Sequence, residues 1–338
     1  MDIKKNISLK KYTTFRIGGD ARYFVEVCSV DELVDAVKFS KENRIPFVVL
    51  GGGSNLLISD NGYDGLVIKN LISGIEWVED EKTVLVTSGA GENWDELVRQ
   101  TVDKNLFGLE NLSLVPGSVG ASPIQNIGAY GVEVKRTIER VEVLDTRTLE
   151  IKNLTNRECE FGYRDSIFKK EEGSSYVVTK VTFKLQKEGL TFIGYRDLAD
   201  YFVRIGIAKA TPKEVRDAVV EIRTLKLPDV TKVGTAGSFF KNPVITKEKF
   251  EKLKETYPDI TGHAEDGLIK ISAGWMIDKL CNMRGVCVGD ACVHDRQALV
   301  IVNKGNATKK DVDDLAIKII NAVKEKTNIE LEREVRTF

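Results

Sequence analysis

The first third of the chain switches between short apolar runs and helical spacing. Three apolar runs have the length and composition of strands, namely Ala21–Val27, Pro46–Leu50 and Gly65–Lys69. Between the first two, residues 31–43 are predicted to form a helix, because Leu33 and Val37 fall on one side of it. The run ending at Leu50 stops at three glycines. This part of the chain is therefore predicted to be α/β, with a glycine-rich turn after a buried strand.

The rest of the chain combines strands and helices in a less regular order. Further strands are predicted at Thr83–Thr87, Val141–Leu144, Tyr176–Leu185 and Ala298–Asn303. Helical spacing of apolar residues recurs in the segments 94–102, 215–222, 273–280 and 312–323. Ser272 is a suitable N-cap for the third of these helices. The pattern indicates an α+β chain with a domain boundary between residues 205 and 230.

Asn111–Gly131 follows neither helical nor strand periodicity. The segment contains Pro116, Pro123 and several glycines, and it is too apolar for a disordered linker. Loops of this length in compact domains are usually functional. Small residues and prolines would make a thin, rigid wall of backbone that can lie against a flat ring. The alternative is a purely structural loop.

Composition excludes several classes of protein. The chain has 338 residues, of which 42% are hydrophobic and 30% charged, with a net charge of −1. This is the composition of a globular protein with two or three domains, and it gives no global reason to expect nucleic acid as a partner. No apolar run approaches 18 residues, and Met1–Asn6 precedes no signal-peptide core. We therefore expect neither a membrane span nor secretion.

The five cysteines are few and odd in number, which is typical of a reducing cytoplasm. Cys281, Cys287 and Cys292 lie close together in the sequence, but none forms a C-x-x-C pair. Only two histidines, His263 and His294, are present. We expect small buried thiols here and no metal site.

The glycine turn after Leu50 is the first candidate for binding. Its residues are Gly51, Gly52, Gly53, Ser54, Asn55 and Leu56. Consecutive backbone N–H groups in such a turn form an anion-binding concavity, and the serine and asparagine add side-chain donors. The ligand suggested is a pyrophosphate. A tight surface turn is the alternative.

The two glycine-rich segments together resemble the flavin domain of the MurB reductases, a family within the vanillyl-alcohol-oxidase type of FAD-binding fold (PCMH type). Thr13–Gly19 also resembles the opening segment of that family. The resemblance implies an α+β fold with a flavin domain and a smaller α+β substrate domain. It divides the chain into FAD subdomains at 1–70 and 71–205 (FAD-binding region about 17–188), a substrate domain at 206–325 and a tail at 326–338.

The same resemblance implies the cofactor and its contacts. FAD would be non-covalent, because neither histidine lies in the flavin segments, and NADPH would be the co-substrate. Besides the glycine turn, the implied FAD contacts are Pro116, Gly117, Ser118, Gly120, Ala121, Ser122, Asn126, Gly128, Ala129 and Gly131. A flavin needs hydrogen bonds at its ring edge to tune its redox behaviour.

Three further motifs of the family supply the implied catalytic residues. Arg164, in Phe161–Lys169, has a fork suited to a carboxylate, and its alternative is a surface pair with Asp165. Ser238, in Gly234–Pro243, would be the proton donor, and its alternative is a capping serine in a turn. Glu334 would be the catalytic glutamate, although a charged tail is usually a solvated face.

Within the tail, Arg333 stands where the family often has proline, and the chain stops two residues after Arg336. Neither departure touches Glu334.

Substrate contacts are also implied by the resemblance, at Tyr130, Tyr195, Arg223, Lys226, Asn242 and Gln297. Tyr195 matches the tyrosine that the looped subtype, type I, folds over the substrate diphosphate. Arg223 and Lys226 match nearby cations, although a cation at a helix C-terminus is commonly only a dipole partner.

The reaction implied is NADPH-dependent, FAD-mediated reduction of UDP-N-acetylglucosamine enolpyruvate to UDP-N-acetylmuramate for peptidoglycan synthesis, by a cytoplasmic monomer. Two other interpretations stay open: an oxygen-using alcohol oxidase of the same fold, and a non-enzymatic binder of nucleotide sugars.

Overall fold

A computed structural model describes residues 1–265 and 267–338, and the chain divides into two compact units. The first comprises Met1–Ile7, Ala21–Gly52 and Tyr63–Leu225, and the second comprises Ser8–Asp20, Gly53–Gly62 and Lys226–Phe338. Neither unit is one continuous stretch, because two short segments near the N-terminus belong with the last third of the chain.

The strands of the described residues are, in chain order, β1 Lys4–Ser8, β2 Asp20–Val27, β3 Phe47–Leu50, β4 Leu56–Leu57, β5 Tyr63–Asn70, β6 Ile75–Glu79, β7 Thr83–Gly89, β8 Gly128–Ala129, β9 Val132–Glu133, β10 Ile138–Asp145, β11 Glu150–Thr155, β12 Tyr176–Gln186, β13 Gly234–Ser238, β14 Val244–Ile245, β15 Gly262–Glu265, β16 Leu268–Ile271, β17 Cys287–Val288, β18 Ala291–Val293, β19 Val300–Asn303 and β20 Arg336–Thr337. The α-helices are α1 Val30–Glu42, α2 Trp94–Asp103, α3 Arg196–Ile205, α4 Pro212–Lys226, α5 Lys247–Thr256, α6 Ala273–Trp275 and α7 Lys309–Thr327. Within these described ranges, no helix combines the length and the apolar character that crossing a membrane requires.

The first sheet of the first unit has the order β1-β2-β5-β3, and β5 pairs in parallel with β2 and β3. Helix α1 begins after Ser29, whose side chain accepts a hydrogen bond from the Glu32 N–H. Leu33 and Val37 of this helix are fully buried in one core with Ile68. The predicted strand–helix–strand order is confirmed here.

The second sheet of the first unit is antiparallel, with the order β11-β10-β12-β7-β6. Helix α2 packs its buried face, which includes Trp94 and Leu97, into a core with Phe183. The Trp94 indole contacts the Phe183 ring edge-to-face, with 5.8 Å between ring centroids. The predicted strands at 83–87, 141–144 and 176–185 are confirmed, each with longer bounds.

Helices α3 and α4 are the last elements of the first unit along the chain. Leu198 and Phe202 of α3 are buried with Val215 and Val219 of α4, which also confirms the predicted helical spacing at 215–222. On α4, Arg216 donates to both carboxylate oxygens of Asp95 on α2, at 2.7 and 2.9 Å. Packing and a bidentate ion pair therefore hold α4 in place.

The second unit is built on the sheet β13-β19-β18-β17 and the amphipathic helix α7. Val312, Leu315 and Ile319 of α7 lie in its core together with Phe15 and Leu57, which come from the two N-terminal segments. The predicted helix at 273–280 is a short α-helical turn capped by Ser272 that continues as a π-helix over Met276–Leu280.

The expectation of scattered buried thiols is wrong for Cys287 and Cys292. The two residues face each other across the antiparallel pair β17–β18 and form a disulfide, with 4.1 Å between their Cα atoms. A disulfide does not require C-x-x-C spacing, because directly opposed residues of a hairpin also bring their Cβ atoms together. Among the described residues the free cysteines are Cys28, Cys159 and Cys281.

Asp145, at the end of β10, is a buried carboxylate that should stabilise the first unit in a pH-dependent way. Its side chain is 1% exposed, and it accepts hydrogen bonds from Lys152 Nζ at 2.7 Å and from the backbone N–H of Arg147 at 3.0 Å. Burial alone would raise the pKa of Asp145, but these hydrogen bonds outweigh burial and hold it well below its usual value.

We expect Asp145→Asn to lower the free energy of unfolding by about 2 kcal/mol at pH 7. Because the folded pKa lies below the unfolded value of about 4, the carboxylate's contribution is complete above that value and is lost as the pH falls through the folded pKa. Urea titrations from pH 7 downward should show that the difference in free energy of unfolding between Asp145→Asn and the native protein shrinks below about pH 4. Asp64→Asn, at an exposed position, is the control. A pH-independent difference would contradict this account.

Candidate functional site

The first two glycines of the turn after Leu50 pack directly against the second glycine-rich segment. A Cβ added to Gly51 would lie 2.5 Å from Ser118 Oγ, and one added to Gly52 would lie 2.6 Å from the Gly117 Cα. Within the first unit, the start of the predicted FAD turn, Gly51 and Gly52, is therefore brought against the second predicted FAD segment. Any larger residue at Gly52 would displace backbone rather than a side chain.

A lysine lies at this turn that the sequence reasoning missed. Lys69 lies opposite Leu50 across the β3–β5 pair, and its Nζ donates to the Gly51 carbonyl. Burial lowers the pKa of Lys69, although Glu26 acts in the opposite direction. A half-buried ammonium beside a turn of backbone N–H groups suits an anionic ligand. Its signal in the sequence was a cation at the end of an otherwise apolar strand.

Ser122 offers a test of whether the second segment suits a flavin. Its side chain is 1% exposed, and its Oγ has no hydrogen-bond partner in the described part of the chain. An unsatisfied buried hydroxyl is costly unless a ligand completes it. The adjoining Gly120 is confined too, because a Cβ there would lie 2.5 Å from the Ala90 Cβ. A thin wall with an unused polar atom fits the ring edge of a flavin.

The loop that carries Arg164 is attached to this wall. Arg164 Nη2 donates to the Gly128 carbonyl at 2.9 Å, and Ser166 Oγ donates to the Ile124 carbonyl at 2.6 Å. Asn126 Nδ2 donates to the Gly162 carbonyl at 2.9 Å and to Glu133 at 3.1 Å. The Asn126 side chain thus holds the Arg164 loop, and its predicted contact with FAD stays a prediction.

Arg164 itself adopts a left-handed backbone conformation, with φ of 53°, at the tip of a tight turn. The turn is closed by hydrogen bonds in both directions between Gly162 and Asp165. Lys169 Nζ donates to the Arg164 carbonyl at 2.8 Å. A non-glycine residue in this conformation costs energy that the surrounding hydrogen bonds must offset, as is common at functional sites.

Tyr130, Tyr195 and Arg223 form one cluster in the first unit. The two tyrosine rings meet edge-to-face, with centroids 5.5 Å apart, and the Arg223 guanidinium is near enough to the Tyr130 hydroxyl to act on its pKa. Burial raises the pKa of Tyr130 to about 12 and also raises that of Tyr195, so both hydroxyls remain protonated donors at neutral pH. Three of the six predicted substrate contacts are therefore neighbours.

Arg223 has a side-chain nitrogen in this cluster that could still donate to a ligand. Its Nε is buried without a hydrogen-bond partner among the described residues, and burial lowers the pKa of the guanidinium. An incompletely satisfied cation beside two hydroxyl donors suits a phosphate group. A role limited to the helix dipole does not explain the burial of this side chain.

In the second unit, Gly53 joins the glycine turn to the N-terminal motif. Its φ is 65°, a Cβ there would overlap the Tyr12 carbonyl, and its own carbonyl accepts from the Thr14 N–H at 3.1 Å. Thr14 Oγ1 in turn donates to the Thr235 carbonyl at 2.6 Å. Residues 53–56 and the motif 13–19 are thus tied to the strand that ends at Ser238.

The C-terminal tail is packed and paired, and it is not a solvated face. Leu331 and Val335 are buried, and β20 pairs in parallel with β4 at Leu56. The Glu334 N–H donates to the Phe239 carbonyl at 2.9 Å, and Asn55 Nδ2 donates to the Glu334 carbonyl at 3.3 Å. The structure therefore brings Glu334 beside both the Ser238 strand and the second half of the glycine turn.

Ser238 lies at an irregularity of its sheet. The register between β13 and β19 shifts between Thr235 and Ser238, and the Thr235 hydroxyl accepts from the Gly237 N–H at 3.1 Å. Ser238 is exposed, and a Cβ added to Gly237 would meet nothing within 4 Å. Bulges of this kind re-aim side chains next to functional sites. Open space around the serine leaves room for a substrate.

Other predicted substrate contacts in the second unit already have protein partners. Asn242 Oδ1 accepts from the Ala273 N–H at 2.9 Å, and Gln297 Oε1 accepts from the Leu299 N–H at 3.4 Å. Their amide nitrogens are the atoms that would have to reach a substrate. Lys226 ends α4 and begins the second unit.

The described ranges 1–265 and 267–338 contain no candidate metal-binding site. No group of three or more histidine, cysteine, aspartate or glutamate side chains there could hold an ion.

Comparisons with known proteins cover the whole chain. Residues 21–152 match the FAD binding domain family model, and residues 229–338 match the model of the UDP-N-acetylenolpyruvoylglucosamine reductase C-terminal domain. The UDP-N-acetylenolpyruvoylglucosamine reductase of Chromobacterium violaceum is 44% identical over 99% of this chain and 98% of its own. That of Neisseria gonorrhoeae is 44% identical over 98% of this chain and 96% of its own.

A solved structure agrees with these sequence relatives. The crystal structure of the Thermus caldophilus reductase (MurB) superposes with a TM-score of 0.69 at 27% identity, over 100% of this chain and 99% of its own. The predicted α+β fold, with an FAD-binding domain and a second domain, is confirmed. The chain therefore belongs to the UDP-N-acetylenolpyruvoylglucosamine reductase family.

Proposed function

We propose that this protein is an FAD-dependent UDP-N-acetylmuramate dehydrogenase, which reduces UDP-N-acetylglucosamine enolpyruvate with NADPH. The observation that carries the proposal is the sequence identity of 41–44% to UDP-N-acetylenolpyruvoylglucosamine reductases over the full length, which leaves no domain unmatched. The product, UDP-N-acetylmuramate, serves peptidoglycan synthesis and through it cell shape and division.

The two glycine-rich segments are the residues that would hold FAD. The glycine turn, with Lys69 at its base, would take the pyrophosphate, and the wall with the unused Ser122 hydroxyl would take the ring edge. When held there, FAD would supply the hydride-transfer chemistry that lets NADPH reduce the vinyl carbon of the substrate.

The chain's own residues would manage charge and proton on the substrate. Reduction of the enolpyruvyl group drives negative charge into its carboxylate, and the Arg164 fork is suited to that charge. Glu334 would share the task in its protonated form, since a bare carboxylate would repel the charge. Ser238 would give its proton to the carbon next to the carboxylate. The fixed backbone of Glu334 and the exposure of Ser238 support these roles.

We expect Ser238→Ala to separate the two half-reactions. Flavin reduction by NADPH should stay within twofold of native, whereas reoxidation by the enolpyruvyl nucleotide should slow by at least about a hundredfold, because only the second step needs the proton. Stopped-flow absorbance of the flavin measures both, and Ser174→Ala at an exposed position is the control. Normal reoxidation in Ser238→Ala would rule the serine out as the acid.

Glu334→Gln should lose most turnover while it retains FAD. The amide keeps the size of the side chain and leaves its backbone contacts with Phe239 and Asn55 intact. Its N–H is a far weaker acid than a protonated carboxyl, so it stabilises the negative charge on the substrate less well. We expect kcat to fall about a hundredfold or more with a native flavin spectrum. Glu332→Gln, two residues away and exposed, is the matched control. An active Glu334→Gln enzyme would remove this residue from catalysis.

We further propose that the protein is of the looped subtype, in which Tyr195 covers the substrate diphosphate. The ring of Tyr195 lies against Tyr130, and the partly unsatisfied Arg223 acts on the Tyr130 hydroxyl, so this cluster offers donors of the kind a diphosphate needs. Lys226, at the end of the same helix as Arg223, would add a second cation.

Tyr195→Phe should raise KM for the enolpyruvyl nucleotide about tenfold and leave kcat within twofold, because a hydrogen bond to a charged phosphate contributes mainly to binding. Tyr201→Phe, which loses a hydroxyl bonded to Glu221 on the same pair of helices, serves as the control. Steady-state kinetics decide the question, and an unchanged KM in Tyr195→Phe would refute the covering role.

The division at residues 70, 205 and 325, the monomeric state and the cytoplasmic location stay predictions.

A further inference from the structure

We propose that Asn111 is a positioning residue that fastens the loop 187–195, and Tyr195 at its end, against Tyr130. This inference rests on the proposed covering role of Tyr195 only for its effect on substrate binding. The fastening itself follows from contacts within the first unit.

The side-chain amide of Asn111 joins two distant segments. Its Nδ2 donates to the Tyr130 carbonyl at 3.1 Å and to the Phe192 carbonyl at 2.8 Å. Asn111 is 1% exposed, so water cannot replace these bonds in place. Both N–H protons of the Asn111 amide are therefore used, and they hold the segment around Tyr130 and the loop 187–195 together.

Asn111 itself is held rigidly. It lies in the short 3-10 turn Glu110–Leu112, where the Glu110 carboxylate accepts from the Gly108 N–H at 2.6 Å. Trp94 Nε1 donates to the Leu112 carbonyl at 2.9 Å. Because this turn is held rigidly, it does not move with the loop. The Asn111 amide therefore fixes the position of the loop.

Packing on the other side of the loop supports the same arrangement. Gly131, with φ of 80°, leaves the space that the Phe192 ring occupies, and a Cβ there would overlap the ring. Thr191 Oγ1 donates to the Ala210 carbonyl at 2.7 Å. Phe192 is thus held at two points. Its ring packs against Gly131, and its carbonyl accepts a hydrogen bond from the Asn111 amide. Tyr195 follows three residues later and meets Tyr130, whose carbonyl Asn111 also holds.

Loss of the Asn111 amide should free the loop without changing the chemical step. Asn111→Ala removes both donors, and Asn111→Asp keeps the shape but presents an oxygen to two carbonyls. A matched control exists at Asn156, whose Nδ2 donates to the Lys135 and Ile138 carbonyls, both at 2.7 Å, elsewhere in the same unit. Asn156→Ala and Asn156→Asp therefore reproduce the loss of two bonds without touching the loop.

The experiment combines limited trypsin digestion of the FAD-loaded enzyme with steady-state kinetics. Lys187 and Arg196 bracket the loop and are the cleavage sites to follow. We expect both Asn111 variants to be cut there about tenfold faster than native and to show KM for the enolpyruvyl nucleotide raised about tenfold with kcat within twofold. The Asn156 variants should show neither change, even where their melting temperatures fall equally.

The outcomes separate this inference from the proposed function. Native cleavage rates in the Asn111 variants, or equal acceleration in the Asn156 variants, would overturn the positioning role. Faster cleavage with an unchanged KM, together with an unchanged KM in Tyr195→Phe, would support the hold of Asn111 on the loop and overturn the covering role of Tyr195.

Discussion

Close backbone packing between two glycine-rich segments is the constraint on which the candidate site depends. Gly51 and Gly52 approach Ser118 and Gly117 so closely that a Cβ at either position would collide. The Lys69 ammonium holds the carbonyl of the first glycine, and the Arg164 loop is bonded to the far end of the same wall. A change in the spacing of these segments would therefore reach the residues proposed to bind FAD and the arginine proposed to bind the substrate.

The second unit uses a different means to hold the two residues proposed to be catalytic there. Ser238 is re-aimed by a shift in strand register, and Glu334 is held by backbone hydrogen bonds to its neighbour Phe239 and to Asn55. Such contacts fix the main chain at both residues. This arrangement suits groups that must meet a substrate, because a fixed main chain limits the positions that a side chain can take.

Periodicity predicted the elements well, because regular spacing of apolar residues reflects one buried face. It could not predict contacts made by single polar side chains, and for that reason it missed Asn111 in the aperiodic segment and Lys69 at the end of an apolar strand. The Cys287–Cys292 disulfide was missed because it depends on which strand residues face each other. Motif resemblance predicted Arg164, Ser238 and Glu334 as catalytic residues, which stays a prediction, and it gave no sign that the N-terminal motif and the tail share one compact unit.

That shared unit has a consequence for the order in which the chain is made. Phe15, Ile17 and Leu57 belong to a core whose other members all lie beyond residue 235. On the ribosome these apolar side chains emerge early and must wait until most of the remaining chain has been translated. Non-local contacts of this kind fold slowly and leave apolar surface exposed to aggregation or to chaperones. The isolated C-terminal third would also lack part of its own core, so it is a poor candidate for expression as a separate domain.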